Sequence, residues 1–167
     1  PDPLQWRTWP EDLVSVSEEG KLATQTAAYE NSLTHTGEEL TEGRHYWEVE
    51  IAGQETGTFV GVCRPDADLR AEHGRREDTT AWLMYANGGD LCGNGKQFDD
   101  PAGGINEGDR MGILLDLDDG SLRFFRNGVE HGPGYPAGSV TGPVALAAPM
   151  KWLGHAVRLP PAARAPA

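Results

Sequence analysis

Cysteine is scarce in this chain of 167 residues, which holds only two, and cations are outnumbered, with 14 Lys+Arg against 26 Asp+Glu. Cys63 ends an apolar, strand-like run, and Cys92 lies among glycines. Neither the CxxC spacing of a zinc site nor a disulfide framework is present, so two reduced thiols in an intracellular, cytoplasmic protein are the expectation. The net charge of −12 repels phosphate backbones and anionic lipid, which argues against nucleic-acid and membrane-surface partners. Long apolar runs are missing and mean hydropathy is −0.52, which excludes a membrane-crossing helix. No charged-then-apolar leader opens the sequence. It begins with Pro1, and the expectation is a segment cut from a longer protein.

Catalytic patterns are missing as well. Asp116 to Gly120 looks like half a calcium loop, but Gly120 stands at position 5 and Asn127 at position 12, where an EF-hand needs a carboxylate or amide and a bidentate Glu. Gly93-Asn94-Gly95-Lys96 is followed by Gln97 where a phosphate loop needs Ser or Thr. Gly132-Pro133-Gly134 lacks the third glycine of a dinucleotide fingerprint. No G-x-S-x-G elbow occurs. His35, His45, His73, His131 and His155 form no i,i+4 pair to grip a metal. The expectation is no enzyme, no cofactor and no metal.

Helical periodicity is also lacking, since no stretch keeps apolar residues at i, i+3, i+4 and i+7 through three turns. Asp66 to Thr79 has room for a helical turn but is too polar to bury a face. Strands fill the gap. Trp47, Val49 and Ile51 alternate with Tyr46, Glu48 and Glu50, Thr58 to Cys63 is β-branched and aromatic, and Met111, Ile113, Leu115 and Leu117 share one face. Asp119-Gly120 and Asn127-Gly128 tolerate the positive φ of type I′ hairpin turns. Val144 to Ala148 and Ala156 to Leu159 follow. With 22 glycines and 12 prolines, many short strands joined by tight turns predict an all-β, two-layer antiparallel sandwich or a barrel. Pro160 to Ala167 reads as a linker tail.

Several blocks resemble the SPRY domain. They are Gly43-Arg44-His45-Tyr46-Trp47-Glu48-Val49, Phe59-Val60-Gly61-Val62, Ala81-Trp82, Gly93-Asn94-Gly95, Gly108 to Asp116, Leu122 to Gly128 and Gly142 to Ala147. They occur in the family's order between about Gly43 and Leu159. The resemblance implies a concanavalin-like jelly-roll sandwich, with residues 1–42 as an N-terminal extension with first strands, 43–159 as the signature core and 160–167 as tail. The extra N-terminal subdomain of longer relatives is reduced to Leu4–Val16.

The same resemblance implies a non-catalytic module that recognises a peptide or folded protein through loops at one edge of the sandwich, inside a larger protein such as a ubiquitin-ligase adaptor. By motif, those loops are Ala23 to Glu38, Arg64 to Asp78, Tyr85 to Gly95 and Lys151 to Gly154. The candidate partner-binding residues are Tyr29, Asn31, Arg64, Asp66, Tyr85, Cys92, Lys151 and Trp152. A Trp in a turn such as Trp152 is either an interface anchor or a lid folded onto the sandwich. Arg64 either clamps a partner carboxylate or pairs with a local acid. Trp47 and Trp82 are expected in the core. Cys92 stands where the family often has an aromatic, and no basic residue accompanies Tyr29 and Asn31. A basic or neutral partner suits the acidic chain. A lectin-like sandwich and a domain packing within its own parent protein are the alternatives.

Overall fold

A computed structural model describes residues 4–53 and 57–161; the predicted tail falls largely on 162–167, outside the described residues. Thirteen strands and no helix are found among the described residues. They are β1 (Val14–Ser17), β2 (Leu22–Gln25), β3 (Tyr29–His35), β4 (Arg44–Ile51), β5 (Phe59–Cys63), β6 (Ala81–Tyr85), β7 (Asp90–Gly93), β8 (Lys96–Asp99), β9 (Arg110–Asp116), β10 (Ser121–Arg126), β11 (Val129–Glu130), β12 (Ala145–Trp152) and β13 (Ala156–Arg158). A seven-stranded sheet runs β1-β2-β13-β4-β9-β10-β11, and a six-stranded sheet runs β3-β12-β5-β6-β7-β8. All pairings are antiparallel. The barrel alternative is thereby set aside in favour of the sandwich.

Period-two alternation decides which side chains enter the interior. Trp47, Val49 and Ile51 of β4 meet Val60 and Val62 of β5, Trp82 and Met84 of β6, and Met111, Ile113 and Leu115 of β9 in one core. Trp47 and Trp82 are buried there, as expected, and Trp6, Leu13 and Val14 of the N-terminal segment join them. The hairpin forms at Asp119-Gly120, but only Gly120 has positive φ, so the turn is not of type I′; the Asp116 carboxylate accepts the Asp118 and Asp119 amides at 2.9 and 3.3 Å.

A second, smaller cluster lies on the outer face of the six-stranded sheet, where Leu33, Cys63, Ala81, Leu83, Cys92 and Ala147 are covered by Ala67 and Leu69. The cover is the 64–80 segment, which is irregular, with isolated hydrogen-bonded turns and no helix. Polar ties hold it down. Leu33 N donates to Leu69 O, Asn94 N to Asp78 O and Gly95 N to Arg76 O. Gly93 and Gly95, both with φ above 90°, form the turn between β7 and β8 that anchors this segment.

Candidate functional site

The strand ends set up the site. β3, β5 and β7 begin, and β12, β6 and β8 end, on the same side of the six-stranded sheet. Five aromatic side chains line up across that side. Trp152 pairs with Tyr29 on neighbouring strands, and their ring centroids lie 4.5 Å apart. Phe59 pairs with Tyr85 at 4.8 Å, and Tyr85 meets Phe98 edge-on at 5.3 Å. Tyr29, Phe98 and Trp152 are 56%, 50% and 49% exposed, which is unusual for side chains that normally carry a packing role.

Two local devices fix the Trp152 end of the row. The β12–β13 turn carries the chain from one sheet to the other, and buried His155 accepts the Lys151 and Trp152 amides on Nδ1 at 3.1 and 3.2 Å. A ring nitrogen that accepts two N–H groups carries no proton, so the His155 proton sits on Nε2. Across the sheet pair, Gln25 holds the β2–β3 turn by donating to Glu30 O at 3.0 Å and accepting from Ser32 Oγ at 2.7 Å. Tyr29 follows directly from that turn.

Between the aromatic row and the 64–80 segment lies a cavity of about 420 Å³, lined by Asn31, Phe59, Tyr85, Gln97, Phe98, Lys151 and Trp152 from the sheet and by residues 71–75 from the segment. Gly74 rests on the floor with φ +101°; a Cβ there would stand 3.2 Å from the Phe59 ring and 3.3 Å from Cys92 Cβ. His73 locks the segment. Its Nδ1 lies 3.0 Å from Asp78 Oδ2, and its Nε2 lies 2.7 Å from Asp68 O. Burial opposes the charge on this imidazole, but those two acceptors outweigh it and raise its pKa above the ordinary value. Burial likewise works against the Asp78 charge, yet hydrogen bonds from His73, Thr80 and Gly74 bring its pKa down to about 2.

The predicted residues divide. Tyr29, Asn31, Tyr85, Lys151 and Trp152 converge on this one cavity or its rim. Trp152 is neither fully exposed nor a lid; it leans on Tyr29, whose ring also carries Lys151 Nζ at 4.7 Å. Arg64, Asp66 and Cys92 lie apart from this cavity. Arg64 follows the far end of β5, about 13 Å of strand from Phe59 at roughly 3.3 Å per residue. There it stacks over Trp82 at 5.0 Å and donates to Pro143 O at 3.1 Å and Thr141 Oγ1 at 2.8 Å. It pairs with carbonyls and a hydroxyl and, among the described residues, with no carboxylate. Asp66 is exposed beside it and outside the cavity. Cys92 is fully buried beneath Gly74, its thiol pushed by burial up to about 11, because alternation on β7 turns it toward the covered outer face.

Phe59, Gln97, Phe98 and His155 are the residues missed. The strand alternation of β5 and β6 carries the signal for Phe59, which shares the outward parity of Tyr85 once the two strands are paired. Phe98 has φ +54°, a backbone state that a single sequence does not announce for an aromatic. Among the described residues no group of three His, Cys, Asp or Glu is placed to hold a metal.

The SPRY domain's sequence profile matches residues 44–148, and the chain belongs to the SPRY domain family. Among curated proteins it is 32% identical over 91 residues to the E3 ubiquitin-protein ligase TRIM11 of Rattus norvegicus, covering 53% of this chain and 18% of that protein. It is 31% identical over 110 residues to butyrophilin subfamily 1 member A1 of Homo sapiens, covering 63% and 20%. The chain thus spans about a fifth of the curated relatives it matches. The SPRY domain of human HERC1 superposes with a TM-score of 0.75 at 21% identity, covering 94% of this chain and 100% of that one. The TRIM65 PSpry domain follows at 0.68 and 17%, covering 95% and 88%. These likenesses bear on the fold, a β-sandwich.

Proposed function

We propose that this domain is a non-catalytic protein-interaction module that grips a peptide or an exposed segment of a folded partner in the cavity between the aromatic row and residues 71–75. One observation carries the reading. Two half-exposed aromatics, Phe98 and Trp152, line a cavity of about 420 Å³ together with Phe59 and Tyr85, and half-exposed Tyr29 backs Trp152 at its rim. Aromatic side chains anchored in this way supply large contact area at low entropic cost and are frequent interface hot spots. Of the sites weighed from the sequence, Tyr29, Asn31, Tyr85, Lys151 and Trp152 remain in it, joined by Phe59 and Phe98.

The larger setting follows from kinship. One relative is an E3 ubiquitin-protein ligase, and the corresponding role here is to select the target inside the cell while other domains do chemistry. The net charge of −12 acts at long range and speeds encounter with partners of overall positive charge. Residues 43–159 are the recognition unit in this reading, and 1–42 complete its sheets. The test is selection of a random peptide library displayed on phage against the domain, followed by measurement with Trp152→Ala and Tyr85→Ala. Peptides that lose binding to both variants, with urea midpoints kept, support the site. Equal binding to wild type and variants overturns it.

A further inference from the structure

The cavity's electrostatics run against those of the chain as a whole. Its lining holds two permanent cations, Arg75 and Lys151, and a single carboxylate, Glu72, within a chain of net charge −12. Glu72 stands between the two cations. Its Oε1 lies 3.3 Å from Arg75 Nη1, and its Oε2 lies 3.4 Å from Lys151 Nζ. The cations come from opposite walls, Arg75 from the covering segment and Lys151 from β12, so Glu72 bridges the mouth. The outer face of the other sheet is arranged differently: Arg44, Arg110 and Arg123 each face an acid of a neighbouring strand, Asp116, Glu48 and Glu130. There each cation has its own anion, whereas Lys151 shares Glu72 with Arg75, whose shorter pair is with Glu77. Arg75 also meets Glu77 at 3.0 Å, but Glu77 does not line the cavity.

We infer that Glu72 occupies the place of a ligand carboxylate, and that the partner is an extended peptide segment carrying an acidic side chain one or two residues from a large apolar one. This inference rests on the binding role proposed above for the same cavity. The apolar side chain lies against Trp152, Tyr85 and Phe98. The acidic side chain takes Lys151 and Arg75 from Glu72, which is 47% exposed and swings into water at little cost, since ion pairs this open add little. Asn31 lines the same cavity, where its amide would meet the peptide backbone. Long-range attraction of a basic partner and local capture of one carboxylate act at different distances and are compatible.

The experiment selects peptides from the random phage library, then measures the best binder and its acid-to-amide and acid-to-lysine versions by fluorescence anisotropy. The expected consensus sets Asp or Glu one or two positions from Phe, Trp or Leu, and amide replacement weakens binding about tenfold, the scale of a charge-assisted hydrogen bond. Glu72→Gln tightens the acidic peptide about threefold or more by removing the competitor, and Lys151→Met erases the preference for acid over amide. Both side chains are on the surface, and unchanged urea midpoints show that the fold is kept. A consensus that is basic or neutral, or a Glu72→Gln variant of unaltered affinity, overturns the inference. Peptides that need Trp152 but show no acidic preference overturn this inference alone. Peptides indifferent to Trp152→Ala, or a library without binders, count against the cavity as the site and against the inference with it.

Discussion

The rings of Tyr29 and Trp152 meet at 4.5 Å with an interplanar angle of 54°, on strands β3 and β12, which pair these two residues just past a register shift that follows Met150. Each ring is about half exposed, so neither contributes the full burial of a core aromatic. What they give each other is a fixed orientation at the rim. Aromatic pairs of this kind are worth about 0.5–1.5 kcal/mol beyond area burial. A double-mutant cycle with Tyr29→Ala and Trp152→Ala, read by urea unfolding, is expected to return a coupling in that range. Strict additivity would mean that the two rings stand independently and that Trp152 is not pre-oriented for a partner.

Gly74 sets the depth of the cavity. Its positive φ disfavours any side chain by roughly 1–2 kcal/mol, and the missing Cβ leaves the segment seated on Phe59 and Cys92. Gly74→Val is expected to lift residues 71–75, lower stability by more than that backbone cost alone, and expose the Cys92 thiol. In the wild type that thiol is buried and its pKa is pushed up, so it reacts slowly with a disulfide reagent. Faster labelling of Cys92 in the variant, located by mass spectrometry, is the expected result. Labelling as slow as in the wild type would show that the segment does not rest on that contact.

The sandwich was legible because its evidence is local. The alternation in Trp47-Glu48-Val49-Glu50-Ile51 declares one buried face, and Asp119-Gly120 declares a hairpin; both hold without knowledge of distant residues. Tyr29, Tyr85 and Trp152 were picked out through the loops that the family resemblance marks, Trp152 also as a Trp in a turn. The assembly of the site was not. Phe59 and Phe98 join Tyr85 only through pairing across β5, β6 and β8, which depends on sheet order and on a positive φ at Phe98. Arg64 lies apart from the row because an exposed loop arginine and one folded back over Trp82 have the same sequence. Cys92 lies apart because the turn beside it is exposed while its own side chain points beneath the covering segment.

Arg64 supplies the complementary prediction. Its guanidinium stacks on Trp82 and satisfies Pro143 O and Thr141 Oγ1, joining the 64–80 segment to the loop before β12. Removing it leaves those acceptors to water and uncovers the Trp82 ring. Arg64→Ala is expected to lower unfolding stability by about 1–3 kcal/mol while leaving affinity for a selected peptide within about twofold at a temperature where the fold is intact. A large loss of affinity with stability preserved would return Arg64 to the binding surface.

The His73–Asp78 pair predicts how the cavity wall responds to pH. Both ring nitrogens of His73 face acceptors, the Asp78 carboxylate and the Asp68 carbonyl, an arrangement that suits the doubly protonated, charged ring. A group whose folded pKa is raised binds its proton more tightly in the native state. Its contribution is therefore complete below the unfolded value near 6.5 and is lost as pH rises through the higher folded value. Asp78 runs the other way: its contribution is present above 3.8 and disappears as pH falls toward about 2. The wall is firmest between these limits, on the mildly acidic side of neutrality. Urea midpoints measured from about pH 5 to pH 9 should decline on the alkaline side in the wild type and stay nearly flat there in His73→Gln, which has no proton to lose. Amide exchange within residues 64–80, corrected for the intrinsic pH dependence, should accelerate over the same range. An identical alkaline decline in His73→Gln would assign the effect to another group and leave the His73 lock without a role in holding the cavity.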